Sequence, residues 1–142
     1  MTNSVAIDAP ADLVWSVYSD VERWPAWTQS VTLLKPLDGA GLEVGRRFRI
    51  AQPRMPALVW AVTAVEPGRS WTWTARSPGA RTDAWHQVRP EGDAATVVTQ
   101  GIDQRGTLSG MVGVLMGRLM RRYLAMEAQG LKRACEDRAL SG

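Results

Sequence analysis

Two short stretches, Glu66-Pro67-Gly68-Arg69 and Ser77-Pro78-Gly79-Ala80, each place proline and then glycine at the centre of a four-residue turn. Proline presets φ for the first central position, and glycine accepts the positive φ of the second, which is the type II pattern. Pro90-Glu91-Gly92-Asp93 marks a third turn. The segments between and around them, 45–51, 57–66, 70–76, 81–89 and 94–104, have strand length. Turns this tight join only antiparallel neighbours. The chain from Val31 to about Gln104 is therefore predicted to be an antiparallel β-meander.

The two ends obey a different period. Residues 3–8 read as a short strand. Pro10 suits the first position of a helix, Asp12 favours its dipole, and Ala11, Val14, Val17 and Tyr18 recur at helical spacing over 10–19. A second short turn covers 20–24, and Pro25 is expected to stop it. After the meander, Leu108, Val112, Leu115, Leu119, Tyr123, Met126 and Ala134 fall on one side of a 3.6-residue helix of about thirty residues. Gly110, Gly113 and Gly117 weaken its first half by roughly 1 kcal/mol each against alanine. That half is expected either to be the mobile one or to use its glycines to approach the sheet. The order is α+β: a strand, two short helices, a curved antiparallel sheet and one long helix, in a single domain over residues 1–142.

Composition removes several classes. Hydrophobic residues make up 45% and charged residues 22%, which suits a folded globular chain rather than a disordered one. No segment approaches ~20 uninterrupted apolar residues, so no spanning helix is expected. MTNSVAIDAP has neither a basic start nor an apolar run, so a cytoplasmic location is the expectation. Cys135 is the single cysteine and His86 the single histidine, which leaves no basis for a disulfide, a metal site or a bound cofactor. The net charge of +3 rests on arginine. Its clusters, Arg46-Arg47-Arg49 and Arg118-Arg121-Arg122, fall in different elements without interleaved aromatics, so no nucleic-acid partner is expected. Gly113 to Gly117 matches GxxxG, but Arg118 and Arg121 exclude a membrane dimer.

Strand alternation sorts the side chains into two faces. Phe48 and Ile50 point inward against Arg47 and Arg49. Trp71 and Trp73 point inward against Thr72 and Thr74. Leu58, Trp60 and Val62 share that face, although Val59, Ala61 and Val65 opposite are apolar too. Arg81, Asp83, Gln87 and Arg89 mark the wet side of the next strand and carry Trp85 with them, leaving His86 inside. The interior is thus bounded by Phe48, Trp60, Trp71, Trp73 and His86 on the sheet and by Met116, Leu119, Met120 and Tyr123 on the helix. Such a set is either a solid aromatic core or the lining of a small-molecule pocket. In WPAW, Pro25 forces a bend that is expected to bury Trp24 as an anchor and to leave Trp27 near the pocket opening.

"APADLVWSVYSDVERWPAW", "GDAATVV" and the terminal "GRLMRRYLAMEAQGLKRACE" resemble the SRPBCC superfamily over nearly the whole chain. These are START-like helix-grip proteins, and they include polyketide cyclase/dehydratases and lipid-transfer domains. The resemblance implies a sheet of about seven strands wrapped around the terminal helix, two short helices between the first two strands, and a cavity between sheet and helix. It assigns no catalytic residue.

His86 is the candidate general acid or base, since histidine is the side chain that ordinarily titrates near neutrality. The alternative is a satisfied structural histidine. Asp83 and Arg81 alternate onto the outer face and should not pair with it. No GxSxG elbow, GxGxxG or Walker loop occurs. Two functions follow. The first is binding of a hydrophobic, aromatic or lipid-like molecule by Trp27, Phe48, Trp60, Trp71, Trp73, His86, Met116, Leu119, Met120 and Tyr123. The second is a polyketide cyclase/dehydratase-like enzyme that uses His86, with a rim arginine or Tyr123. A protein-interaction module would need exposed apolar surface, for which Trp85 is the clear candidate.

Overall fold

The three turns anticipated from proline and glycine set the registry of the sheet. Gly68, Gly79 and Gly92 all take positive φ, at 80°, 75° and 76°. The amide of Arg69 closes the first turn on the carbonyl of Glu66 at 2.9 Å. The computed structural model describes residues 1–106 and 109–141, with side chains of the terminal helix from Met116 onward. The roles expected of Gly110 and Gly113, and of the side chains of Leu108, Met111, Val112 and Leu115, lie outside the described residues.

The strands are β1 (Thr2–Ile7), β2 (Leu33–Pro36), β3 (Arg47–Ala51), β4 (Leu58–Glu66), β5 (Ser70–Ser77), β6 (Ala80–Pro90) and β7 (Thr96–Arg105). They form one antiparallel sheet in the order β1-β7-β6-β5-β4-β3-β2. Between β1 and β2 lie α1 (Ala11–Tyr18) and a 3-10 helix (Val21–Ala26), and α2 (Ser109–Ser141) ends the chain. This is the helix-grip arrangement. Pro25 does not stop the 3-10 helix but sits inside it. The missing proline N–H removes one bond, and the chain still closes with Trp27 N–H and Thr28 N–H both on the Trp24 carbonyl at 3.0 and 2.9 Å.

Inward and outward faces follow the alternation, with one irregularity. Val62 pairs with Trp73, yet Ala64 pairs with Thr72, so a bulge at Thr63 shifts the register. A bulge reverses which side chains face the core. It brings Val65 inward opposite Trp71, whereas Val59, before the bulge, stays exposed on the outer face. Trp85 does lie outward, but it is half-buried rather than free. Its ring covers Gly101, its cross-strand partner, where an added Cβ would sit 2.3 Å from the indole.

The second half of α2 buries two faces. Met120, Tyr123, Leu124, Glu127, Ala128, Leu131 and Cys135 are buried beneath it. Met126, expected on that stripe, instead lines a groove shared with residues 25–29, while Ala134 packs against the core and also borders that groove. The helix is tied to the first strand by polar contacts as well: Lys132 Nζ donates to the Ala6 carbonyl at 2.9 Å. Glu136 accepts from the Asp8 amide at 2.9 Å and from Lys132 at 2.6 Å.

Two glycines of α2 have opposite surroundings. At Gly130 an added Cβ would meet the Trp27 carbonyl oxygen at 2.2 Å, whereas at Gly117 it would meet only Arg121 Nη1, at 3.9 Å. Helix propensity alone favours alanine at either site by about 1 kcal/mol. Gly117→Ala is therefore expected to stabilise the fold by about that amount, and Gly130→Ala to destabilise it by about 1–3 kcal/mol through overpacking. Urea denaturation of the two variants checks the sign; stabilisation by both would show that the contact at Gly130 yields freely.

Candidate functional site

A small void of about 50 Å³ lies between the sheet and α2, room for one or two waters. Its walls include Trp24, Trp60 and Trp73, and its polar lining includes Gln52, His86, Gln100 and Glu127. Of the residues expected to bound a cavity, Trp60, Trp73 and His86 meet here. Phe48 and Trp71 are buried in the packed layer beside them, with ring centroids 6.0 and 5.8 Å from Trp73. On the helix, Met120 and Tyr123 are buried while Met116 and Leu119 are half-buried, and none of the four reaches the void. Tyr123 instead donates its hydroxyl to the Pro53 carbonyl. The open apolar cavity expected from the alternation is therefore largely filled by its own aromatic side chains.

Trp24 is the anchor that the WPAW bend predicts: it is buried, and its indole N–H donates to the Tyr18 carbonyl at 2.8 Å. Trp27 goes elsewhere. It is half-buried and lines the outer groove, a cleft of about 890 Å³ between residues 25–29 and the far face of α2. Arg122 and Arg133 stand along that groove.

The ring of His86 is held on every side. It stacks on Trp71 with centroids 4.1 Å apart and 12° between planes, and meets Tyr18, Trp24 and Trp73 edge-on. Its Nδ1 lies 3.3 Å from the Trp71 carbonyl oxygen. A carbonyl can only accept, so Nδ1 carries the hydrogen and Nε2 of the neutral ring is left with a lone pair. Burial pushes the His86 pKa down to about 3, against the smaller opposing pull of the Trp71 carbonyl. His86 is thus not the interior group that titrates near neutrality.

That group is Glu127, which lies on the inward face of α2 and was assigned no role from the sequence. Burial raises its pKa from the ordinary 4.5 to about 8, opposed by a hydrogen bond from Ser30. At neutral pH it is a carboxylic acid, able to donate one hydrogen bond as well as accept. Around it the polar atoms are paired. Tyr18 donates its hydroxyl to Gln100 Oε1 at 2.5 Å, and Gln100 Nε2 donates to the Leu124 carbonyl at 2.8 Å. Ser30 Oγ donates to Glu127 Oε1 at 3.5 Å and lies 2.7 Å from Thr28 Oγ1. A spacing signal existed, since Tyr123, Glu127 and Leu131 repeat every four residues on the core side. A hydrophobicity ranking discards a glutamate there.

The site so built is apolar in its walls and uncharged at neutrality, with a bare acceptor on His86, an acid on Glu127 and the neutral amide of Gln52 along its lining. Among the described residues no group of three or more potential metal ligands occurs.

The two shifts run in opposite directions and fix a pH profile. Between pH 4.5 and 6.5 the native state holds the Glu127 proton and the unfolded state holds the His86 proton, so the two effects on stability cancel. From 6.5 to about 8 only the native state keeps a proton, on Glu127, and stability falls as pH rises. Below 4.5 the unfolded state binds more protons, and stability falls as pH drops towards 3. Unfolding followed across this range is expected to show the plateau. Glu127→Gln should remove the decline above 6.5, which amounts to about 2 kcal/mol in order of magnitude. An unchanged alkaline decline in that variant would assign it to another group.

The fold and site can be set beside known proteins. Residues 1–136 match the family model described as polyketide cyclase / dehydrase and lipid transport. A Streptomyces halstedii protein named "Putative polyketide cyclase" is 32% identical over 73 residues, a match spanning 51% of this chain and 56% of that protein, so it covers about half the length of its curated relative. XoxI of Bacillus cereus superposes with a TM-score of 0.78 at 16% identity, covering 100% of this chain and 97% of that one. Norcoclaurine synthase of Thalictrum flavum gives 0.77 at 14% identity, covering 97% and 94%. The di-domain ARO/CYC StfQ of the steffimycin biosynthetic pathway gives 0.73 at 17% identity, covering 96% of this chain and 45% of that one. The solved structures share the fold, and the family model carries the assignment: this chain belongs to the polyketide cyclase / dehydrase and lipid-transport family.

Proposed function

We propose that the protein binds an uncharged, hydrophobic, aromatic molecule bearing hydroxyl or carbonyl groups between its sheet and α2. The observation that carries this reading is the pairing of a bare acceptor, His86 Nε2, with a carboxylic acid, Glu127, in a void walled by tryptophan. A ligand hydroxyl can donate to the first and a ligand carbonyl can accept from the second. A fatty acid brings a carboxylate that finds no fixed cation on this lining. The void holds one such substituent, and the body of the ligand enters as Trp60 and the helix part; Trp60 and Leu124 are the rim residues, retaining 8% and 6% exposure.

A second reading, a cyclase/dehydratase-type enzyme, is supported by Glu127. A carboxyl held near the working pH can give a proton to a ligand carbonyl and take one back from an adjacent carbon, which is general acid–base catalysis. His86 then serves as a fixed acceptor that orients the ligand, and does not carry the proton.

Titration with a hydroxyanthraquinone, followed by tryptophan fluorescence, tests the binding. Saturable quenching is expected, and His86→Ala and Glu127→Gln should each weaken it about tenfold, the effect of one lost hydrogen bond. Palmitate should compete poorly. Binding that both variants leave untouched would sink the interior site.

A further inference from the structure

Thr28, Ser30 and Glu127 come from segments far apart in the sequence, yet they form one line of oxygen atoms. Thr28 Oγ1 and Ser30 Oγ are 2.7 Å apart, and Ser30 Oγ reaches Glu127 Oε1 at 3.5 Å. All three residues are buried. Thr28 lines the outer groove, while Glu127 lines the interior void on the other side. We infer that Thr28 and Ser30 are a proton relay that connects the Glu127 carboxyl to the solvent-filled outer groove.

The direction of the chain follows from hydrogen counting. An ionised carboxylate only accepts, so towards ionised Glu127 the single hydroxyl hydrogen of Ser30 is the one donated. Its oxygen must then accept, so the contact with Thr28 is a donation from the threonine hydroxyl. Thr28 Oγ1 in turn accepts from the Ser30 amide at 3.2 Å, which fixes the side chain. Donors thus line up from groove to carboxyl. When Glu127 has lost its proton, Ser30 hands over its hydrogen, Thr28 replaces it, and a hydronium ion or buffer acid in the groove replaces that of Thr28, leaving water or the buffer's conjugate base behind. Each oxygen breaks one O–H bond and forms one, so the hydroxyls end unchanged and the carboxyl ends as an acid. Rotation of both hydroxyls runs the line in reverse.

Among the described residues, the ionisable neighbours of Glu127 do not carry this proton. They are, among those residues, Tyr18 from α1 and His86 from β6. Tyr18 holds its proton well above its ordinary value, and His86 takes one only near pH 3. The relay rests on the second reading above, in which Glu127 exchanges a proton with the ligand. It explains how the acid is restored while a ligand fills the void. Thr28 and Ser30 are positioning residues, since neither lines the void.

The test uses the ligand-free protein. A rapid pH jump across the titration of Glu127 is followed by the infrared band of its protonated carboxyl, assigned by the band lost in Glu127→Gln. Ser30→Ala and Thr28→Val are expected to slow the deprotonation about tenfold or more, the rate effect of breaking one hydrogen-bonded link. Thr28→Ser, which keeps the hydroxyl, should restore the native rate, and this threonine pair decides the question if Ser30→Ala fails to fold. Native rates in both hydroxyl-deleted variants would overturn the relay, as would a carboxyl that shows no protonated band at neutral pH. Because no ligand is present, failure of hydroxyanthraquinone binding would sink the proposed function and leave this result standing.

Discussion

One side chain, Gln100 on β7, holds the layers of the molecule in register. Its carbonyl takes the Tyr18 hydroxyl of α1, and its amide reaches the Leu124 carbonyl of α2. It is buried to 1% exposure. An unpaired buried amide or hydroxyl costs about 1–3 kcal/mol, so sliding either helix by one residue would strand two polar groups at once. The apolar contacts around it are non-directional and would tolerate several arrangements. The amide does not, and it thereby fixes where Trp24, His86 and Glu127 stand relative to one another.

Once that register is set, the aromatic layer decides the chemistry. Tyr18, Trp24, Trp71 and Trp73 all lie within ring contact of His86 and leave it little room for water. The same dryness acts on a base and on an acid with opposite sign: it disfavours the charged form of each, so the imidazole loses its proton and the carboxyl keeps its own. Two groups that would be oppositely charged in water at slightly acid pH are both neutral here. The interior therefore presents direction without charge, a donor at one point and an acceptor at another.

Local chemistry explains which parts were legible in the sequence. Turns are written in single residues, so Gly68, Gly79 and Gly92 announce β5, β6 and β7 almost to the residue. Alternation places Phe48, Trp71, Trp73 and His86 correctly, because β3, β5 and β6 each have one plainly polar face. β4 has none, and the bulge at Thr63 that turns Val65 inward is set by cross-strand pairing, which no local pattern encodes. The four-residue β2 carries too little alternation to show itself. On α2 Met126 departs from the inward stripe because the helix packs on two sides, and periodicity cannot tell a face buried by a sheet from one buried by a loop. Glu127 escaped for a related reason. A glutamate is ordinarily solvated, and its burial depends on Ser30, nearly a hundred residues earlier in the chain. The pKa of His86 was equally hidden, since it depends on four rings contributed by three elements.

The two buried faces of α2 are not independent. Gly130 lets the helix come so close to residues 27–30 that the Trp27 carbonyl occupies the place of a side chain. Three residues earlier on the helix, close to one turn, stands Glu127, and three residues along the loop from Trp27 stands Ser30. The approach that a missing Cβ permits on one face is thus what carries a serine hydroxyl to hydrogen-bonding range of a carboxyl on the other. The same approach seats Trp27 in the outer groove rather than over the interior, which leaves Thr28 between groove and core. A glycine, a bent tryptophan pair and a buried acid, unrelated as motifs, are consequences of one close contact between a helix and a loop.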